Sequence, residues 1–350
     1  MSCVVDAREE DLTATEFDAL VRLNQDLRQA ALDLPASHAR YLVDIYYQIQ
    51  DARIRIQGQM RAASMSVEPH GLLDWTFRNM RTLENDLKSG LGTFAQGYRV
   101  GQWMQSICGI GPVISAGLLA ALDIRKAPTV GQFWRFAGLD PGVEWLGQKK
   151  AAALVAEVVG DEPINESHLL AVAERVHRHP ENLRRLIKGK LTKASLTKVV
   201  ARRPWSNSLK RLCVGNLADC FVRVQNRKND FYGAYYAAHR EKEAAINESG
   251  GFADQAAAAL KAKKYGKTTE AHKHYIEGRL PPAHLHNRSE RYAVKLFLSH
   301  LHHVMYEDFY NKPAPRPYIL QEGTGHTHWI KPPNWPGEFG GHELRRLYQE

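Results

Sequence analysis

Cysteine is scarce: the 350 residues hold four, Cys3, Cys108, Cys213 and Cys220, none of them in a Cys-x-x-Cys pair. That argues against a disulfide-stapled secreted scaffold and a thiolate zinc site, and leaves free thiols in a reducing compartment as the expectation. Long apolar runs are missing too, since none approaches the roughly 18 residues of a membrane span. The chain opens with Asp6, Glu9, Glu10 and Asp11 where a secretory leader would need basic and then apolar side chains, so a cytoplasmic protein is expected. Aromatic residues make up only 9% of the chain and hydrophobic residues 44%, the balance of a globular protein rather than a disordered one. The most local absence is of negative charge: residues 182–218 contain no Asp or Glu.

Positive charge is abundant by contrast. A formal charge of +9 and a pI near 9.3 favour an acidic partner. Nucleic acid ranks ahead of a membrane surface, because no terminal helix carries a Trp- or Phe-rich face. Residues 13–66 read as one or two long helices, with Leu20, Leu23, Leu27, Leu32, Tyr41, Leu42, Ile45, Tyr46 and Ile49 at three- and four-residue spacing. Arg22, Arg28, Arg40, Arg53, Arg55 and Arg61 lie on the polar face, which suits a bundle or a coiled-coil arm able to self-associate. A further helix over 72–91 is expected to stop at Gly90 and Gly92.

Residues 106–141, SICGIGPVISAGLLAALDIRKAPTVGQFWRFAGLDP, carry the clearest signal. Gly109 and Gly111 permit a tight reversal between two apolar helices, with Ile110 between them and Pro112 at the first helical position. A helix-hairpin-helix of this kind can hold a phosphate on main-chain amides and a helix N-terminus. Beyond it, ESHLLAVAERVHR, PENLRRLIKG and TKASLTKVVARR divide at Pro180 and Gly189 into three short helices. Lys149, Lys150, Arg184, Arg185, Lys188, Lys190, Lys193, Lys198, Arg202 and Arg203 are the candidate phosphate contacts of this region. Two readings stay open: a small trihelical reader of helix-turn-helix kind, or a basic helical insertion that touches phosphates without reading bases.

Residues 205–243 read as one helix, with Lys210 and Arg211 on its basic face. A connector at 248–257, a Lys-rich helix at 258–265 and a last amphipathic helix at 288–310 carrying Arg288, Arg291 and Lys295 follow. The segment after residue 311 is too rich in Pro and Gly for a helix and is expected to pack its tryptophans on the body. Histidines crowd the last third; of these, His326 and His328, or His300 and His303, are spaced to share a face, with hydrogen bonding or base stacking favoured over zinc. His274, Glu277 and Arg288 form an enzyme-like mixture suited to acid–base work on a flipped nucleotide, with Asp123 and Asp140 the nearest acids after the hairpin, helix-ending and turn geometry being their favoured roles.

The run GIGPVISAGLLAALDIRKAPTVGQFWRFAGLDP closely resembles the C-terminal domain of the DEDD-type insertion-sequence transposases, the group that includes the bridge-RNA recombinases. Asp123, Phe133 and the 137–141 turn (AGLDP) match its pattern, and two looser blocks resemble Asn207, Arg211 and Phe231-Tyr232, then RYAVKLFLSHLHHVMY. The resemblance implies a mainly α fold, a helical bundle with a helix-hairpin-helix core and an irregular Pro/Gly-rich C-terminal tail. It divides the chain into an N-terminal helical region (1–100), a core in two parts (101–147 and 204–310) and an irregular tail (311–350). One insertion, at 148–203, separates the core parts, and another, at 240–285, lies within the second.

Two departures from the family bear on function. The family's nucleophilic serine stands in a Ser-Gly pair after the turn, where this chain has Leu146-Gly147; leucine cannot attack a phosphodiester. Ser206 and Ser208 are the displaced candidates, with helix capping the favoured role. The family's N-terminal nuclease-like domain with magnesium carboxylates has no counterpart among the helical stretches that carry Asp6, Asp11, Asp44 and Asp51. The expectation is a DNA-binding derivative from a mobile element or phage, on duplex or branched DNA, with no cofactor and no metal, nucleoid-associated or in a phage-infected cell. RNA is a further partner. The alternative is an active recombinase or base-directed enzyme, which would need magnesium only if catalytic.

Overall fold

A computed structural model describes residues 25–63, 71–227, 229–316, 329–337 and 343–348. The helical reading of residues 13–24, the residues Cys3, Asp6, Glu9, Glu10, Asp11, Arg22 and Lys228, and the pair His326 and His328 lie outside them. The described residues form helices joined by turns, with no strand among them, so the fold is a mainly α helical bundle. No described helix is long and apolar enough to cross a membrane.

The chain divides into two compact units. In the first (Met1–Ser106, Ile110–Asp123 and Gly340–Glu350), α1 (Gln25–Ala30) leads to the long pair α2 (Ala36–Ala63) and α3 (Gly71–Gln96), followed by α4 (Arg99–Gln105) and α5 (Pro112–Ala121). Leu91, Phe94, Trp103, Met104, Leu118 and Leu119 fill its core. α3 runs straight through Gly90 and Gly92 rather than stopping there. Gly92 marks a close approach instead, since a Cβ there would lie 3.3 Å from Cβ of Pro112 on α5. The expected irregular tail also holds a short helix, Glu343–Leu347, whose Leu344 and Leu347 are buried, and the Tyr348 hydroxyl donates to the Leu122 carbonyl at 2.8 Å.

The second unit (Ile107–Gly109 and Ile124–Phe339) contains three sets of helices. α6 (Val130–Phe136) precedes a four-helix group: α7 (Gly147–Val159), α8 (Glu166–Arg175), α9 (Pro180–Leu186) and α10 (Lys193–Val200). Capping boxes at Asn165/His168 and Thr192/Ser195 start α8 and α10, and Pro180 opens α9. This group has its own core of Val155, Val159, Leu169, Val172, Leu183, Leu196 and Val200.

The single helix read over 205–243 is two, because the chain breaks at 225–231. α11 (Asn207–Lys210) passes through a π-helical stretch, Arg211–Leu217, into α12 (Ala218–Val224). Asn226 and Asn229 then take left-handed conformations, and Asp230 accepts from the Gly233 amide to start α13 (Tyr232–Glu248). α14 spans Ala253–Ala262 rather than 258–265, and α15 spans Glu270–Ile276. These two build a small core of Phe252, Ala256, Tyr275, Leu280 and Leu285. α16 (Pro282–Tyr310) starts six residues earlier than read, because Pro282 suits the first helical turn. Along it, Phe297 packs on Tyr232, which stacks on Phe221 at 4.9 Å.

Candidate nucleic-acid interface

The hairpin has the backbone its glycines imply. Gly109 sits at φ 95°, a left-handed conformation, and a Cβ there would press on Val224 and the Cys220 carbonyl at 3.2–3.3 Å. Gly111 is the extended N-cap of α5, with open space where a Cβ would be and no side-chain cap on the first-turn amides. Those amides have no carbonyl partner inside the helix, which is the usual reason a helix start attracts anions. Ile110 is buried, and Gly111 and Pro112 are partly exposed.

In the four-helix group Lys149, Lys150, Arg184, Arg185, Lys188, Lys190, Lys193, Lys198, Arg202 and Arg203 are all exposed. Several have local tasks. Lys150 pairs with Glu144 at 2.8 Å, Arg184 with Glu166 at 3.1 Å, and Lys193 donates to the Gly160 carbonyl at 2.6 Å. Arg178, half-buried, donates to the Val199 and Arg202 carbonyls at the end of α10. Burial and the nearby Arg135 lower its pKa. Lys149, Lys188, Lys190, Lys198 and Arg202 have no side-chain partner among the described residues.

A second cationic group gathers at the 137–141 turn, from segments far apart in sequence. Gly138 adopts φ 65°, and its missing Cβ leaves room for Trp205, whose Cγ would otherwise be 2.8 Å away. Lys210 lies over the Trp205 ring at 4.2 Å, Arg203 over Trp145 at 4.5 Å and Lys295 over Trp134 at 5.2 Å. The indoles of Trp134 and Trp145 are fixed by their own N–H groups, Trp134 to the Lys295 carbonyl and Trp145 to the Ala201 carbonyl. Burial lowers the Lys210 pKa, and Arg291 and Arg203 push it further down. Burial likewise lowers Lys295, with Asp140 opposing and Arg291 adding to the shift. Arg203, Lys210, Arg291 and Lys295 thus gather here, with Asp140 acting on Lys295 and Glu290 on Arg291, and both lysines feel the neighbouring like charge.

Leu146, where the family has serine, packs against the four-helix core. Ser206 caps α11, accepting from the Leu209 amide at 3.3 Å, while its own amide donates to the Phe136 carbonyl at the edge of the turn. Ser208 is exposed on α11, and Arg211 is exposed where the π-helical stretch begins.

Within the second unit, His274, Glu277 and Arg288 make no hydrogen bond or ion pair with one another among the described residues. Asp123, in the first unit, follows the C-cap of α5. His274 lines a shallow cleft with Arg240, Asn247 and Arg279, and Glu277 is exposed at the end of α15. Arg288 is occupied by the buried carboxylate of Glu243, also donates to Gln255, and lies over Phe252. His300 and His303 do not converge on a ligand: His300 bonds to Tyr232 and the Ile330 carbonyl, and His303 pairs with Glu307 at 3.0 Å. Among the described residues no group of three or more His, Cys, Asp or Glu side chains is arranged to hold a metal.

The arrangement is that of a helical scaffold displaying uncompensated cations, several of them on indole rings. Residues 101–187 match the family model described as Transposase IS116/IS110/IS902 family, which supports a transposase-family domain and a transposase-derived function. The matched span holds the hairpin, the turn and Leu146, and runs on into the four-helix group as far as Ile187. It ends before the looser blocks at Asn207 and Arg291. No curated protein and no solved structure matches the chain. The three tryptophans of the turn cluster escaped the sequence reading. The available signal was interleaving, since FWRF, VEWL and RRPWS each set an indole within a few residues of a cation or of the turn.

Proposed function

We propose that the protein binds DNA, duplex or branched, as a derivative of an insertion-sequence transposase from a mobile element or phage, without strand transfer at the family's serine position. The observation that carries this reading is the pairing of Leu146, partly buried against the four-helix core, with the cations of the turn cluster, of which Arg203 lies over the adjoining Trp145. Arg203, Lys210, Arg291 and Lys295 offer charge to a phosphate, and no hydroxyl stands at the residue from which the family attacks it. Lys149, Lys188, Lys190, Lys198 and Arg202 supply a further sequence-independent grip, and the main-chain N–H groups of Gly111 and of the helical turn that Pro112 opens a third.

Replacing Lys188 and Lys190 with alanine should weaken binding to unrelated duplexes alike and reduce the salt dependence by about one unit for each phosphate no longer neutralised. Stability should move by no more than about 0.5 kcal/mol, because both side chains are exposed and unpaired. Unchanged affinity and salt slope would remove this face from the interface. Supercoiled DNA incubated with the protein and magnesium should give neither nicks nor a covalent adduct. An adduct abolished by Ser206→Ala would instead establish a displaced nucleophile. Leu146→Ser should not create activity and should cost the four-helix group about 2 kcal/mol through weaker packing.

A further inference from the structure

Trp134, Trp145 and Trp205 account for three of the seven tryptophans in the chain, and all three lie at the 137–141 turn with a cation against a ring face. A duplex backbone makes no use of such planes, because paired bases present edges and phosphates. Unpaired bases do use them, since stacking on an aromatic ring or a guanidinium plane replaces the stack they have lost. Trp145 is the most accessible of the three: it is 42% exposed, its N–H is already satisfied by the Ala201 carbonyl, and the Arg203 guanidinium lies over it. Arg291 is exposed and makes no ion pair or side-chain hydrogen bond among the described residues, with only a longer-range attraction to Glu290, so charge for the adjoining phosphate is at hand.

We propose that the cluster of Trp145, Arg203, Lys210 and Arg291 is a subsite for single-stranded nucleic acid, stacking one unpaired base on Trp145 and holding its phosphate with the surrounding cations. This rests on the reading that the protein binds nucleic acid, and assigns to that surface a strand form the reading leaves open. After burial, the charges that lower the Lys210 pKa are Arg291 and Arg203, the same repulsion that a phosphate among them would offset. Lys210, set over Trp205 against the turn, is placed to hold its charge toward the strand while its stem packs on the glycine.

The test measures binding of the full chain to a fluorescently labelled oligothymidine, an oligouridine of equal length and a duplex of equal length, by anisotropy. Trp145→Ala should weaken the single strands about tenfold or more and leave the duplex within about twofold. Trp145→Phe should recover most of the affinity, since it keeps a stacking plane without the N–H. Indole fluorescence should be quenched saturably by the single strands, and the quench should vanish in Trp145→Phe. A thermal melt of each variant separates impaired stacking from impaired folding, and Arg291→Ala, at an exposed side chain that makes no ion pair or hydrogen bond among the described residues, gives a second route with the same expected direction.

Equal weakening of single strands and duplex by Trp145→Ala overturns the stacking assignment while leaving DNA binding intact. Failure of the wild-type chain to bind any of the three oligonucleotides overturns both. Preference between oligothymidine and oligouridine tells DNA from RNA as the strand held; weakening of both by Trp145→Ala upholds the subsite for either.

Discussion

Arg288→Ala is expected to destabilise the protein by about 3 kcal/mol while leaving the salt dependence of nucleic-acid binding unchanged in the fraction that stays folded. Glu243 is buried on α13, and its carboxylate is held across the helix pair by the Arg288 guanidinium from α16. Its other neighbour, His239, is 3.7 Å away and has its pKa lowered, first by burial, so it is a poor substitute cation. Removing Arg288 strands a charge in the interior, the costly way to break a buried pair. It also uncovers Phe252, over which the guanidinium lies at 4.8 Å. The measurement is a denaturant melt of Arg288→Ala, Glu243→Ala and the double variant. The double should lose clearly less than the two singles together, because the second removal takes away the stranded partner. A folded, wild-type-stable Arg288→Ala with weakened DNA binding would make Arg288 a phosphate contact instead.

That residue shows where the sequence was legible and where it was not. Arg288 lies in a stretch rich in His, Glu and Arg, and composition alone suits a surface that grips phosphate. Its actual partner is 45 positions away on another helix, and nothing local to either residue points to the other. The hairpin was readable because its determinants are local: a glycine held at φ 95° and a proline at the first helical position constrain the backbone wherever they occur. α8, α9 and α10 were readable for the same reason, since a capping asparagine, a proline and a capping threonine mark their starts. Gly90 and Gly92 misled because the same residue that ends helices also lets two helices touch, and only the partner, Pro112, tells which applies. The turn cluster was half visible. Its cations were named one by one, but their meeting over three indoles draws on residues from Trp134 to Lys295, and only tertiary packing sets such a meeting.

Acid should loosen the second unit well before its carboxylates are protonated. His300 is buried on α16, and its Nε2 faces the Ile330 carbonyl at 2.9 Å, an acceptor only, so that nitrogen carries the proton. Nδ1 is then the acceptor for the Tyr232 hydroxyl at 2.8 Å, and the ring is neutral with both nitrogens satisfied. Burial pulls its pKa down from 6.5 to about 4, with the Ile330 bond opposing and His303 adding a little. His302, which bonds to the Ala127 carbonyl at 2.8 Å, and His303 are lowered in the same direction by burial. An unfolded chain therefore takes up these protons more readily than the folded one as pH falls through 6.5. The stabilisation is complete above that pH and is lost progressively down to about pH 4, where His300 alone accounts for about 3 kcal/mol. Denaturant melts at intervals from about pH 7 to about pH 4 should show this decline. In His300→Gln, which cannot take up a proton, the curve should start lower and fall less steeply by a comparable amount. A parallel decline in both proteins would place the acid sensitivity elsewhere. The same chemistry explains why histidine-rich sequence need not mean metal: a ring that spends one nitrogen on a tyrosine and the other on a carbonyl has no lone pair left to offer.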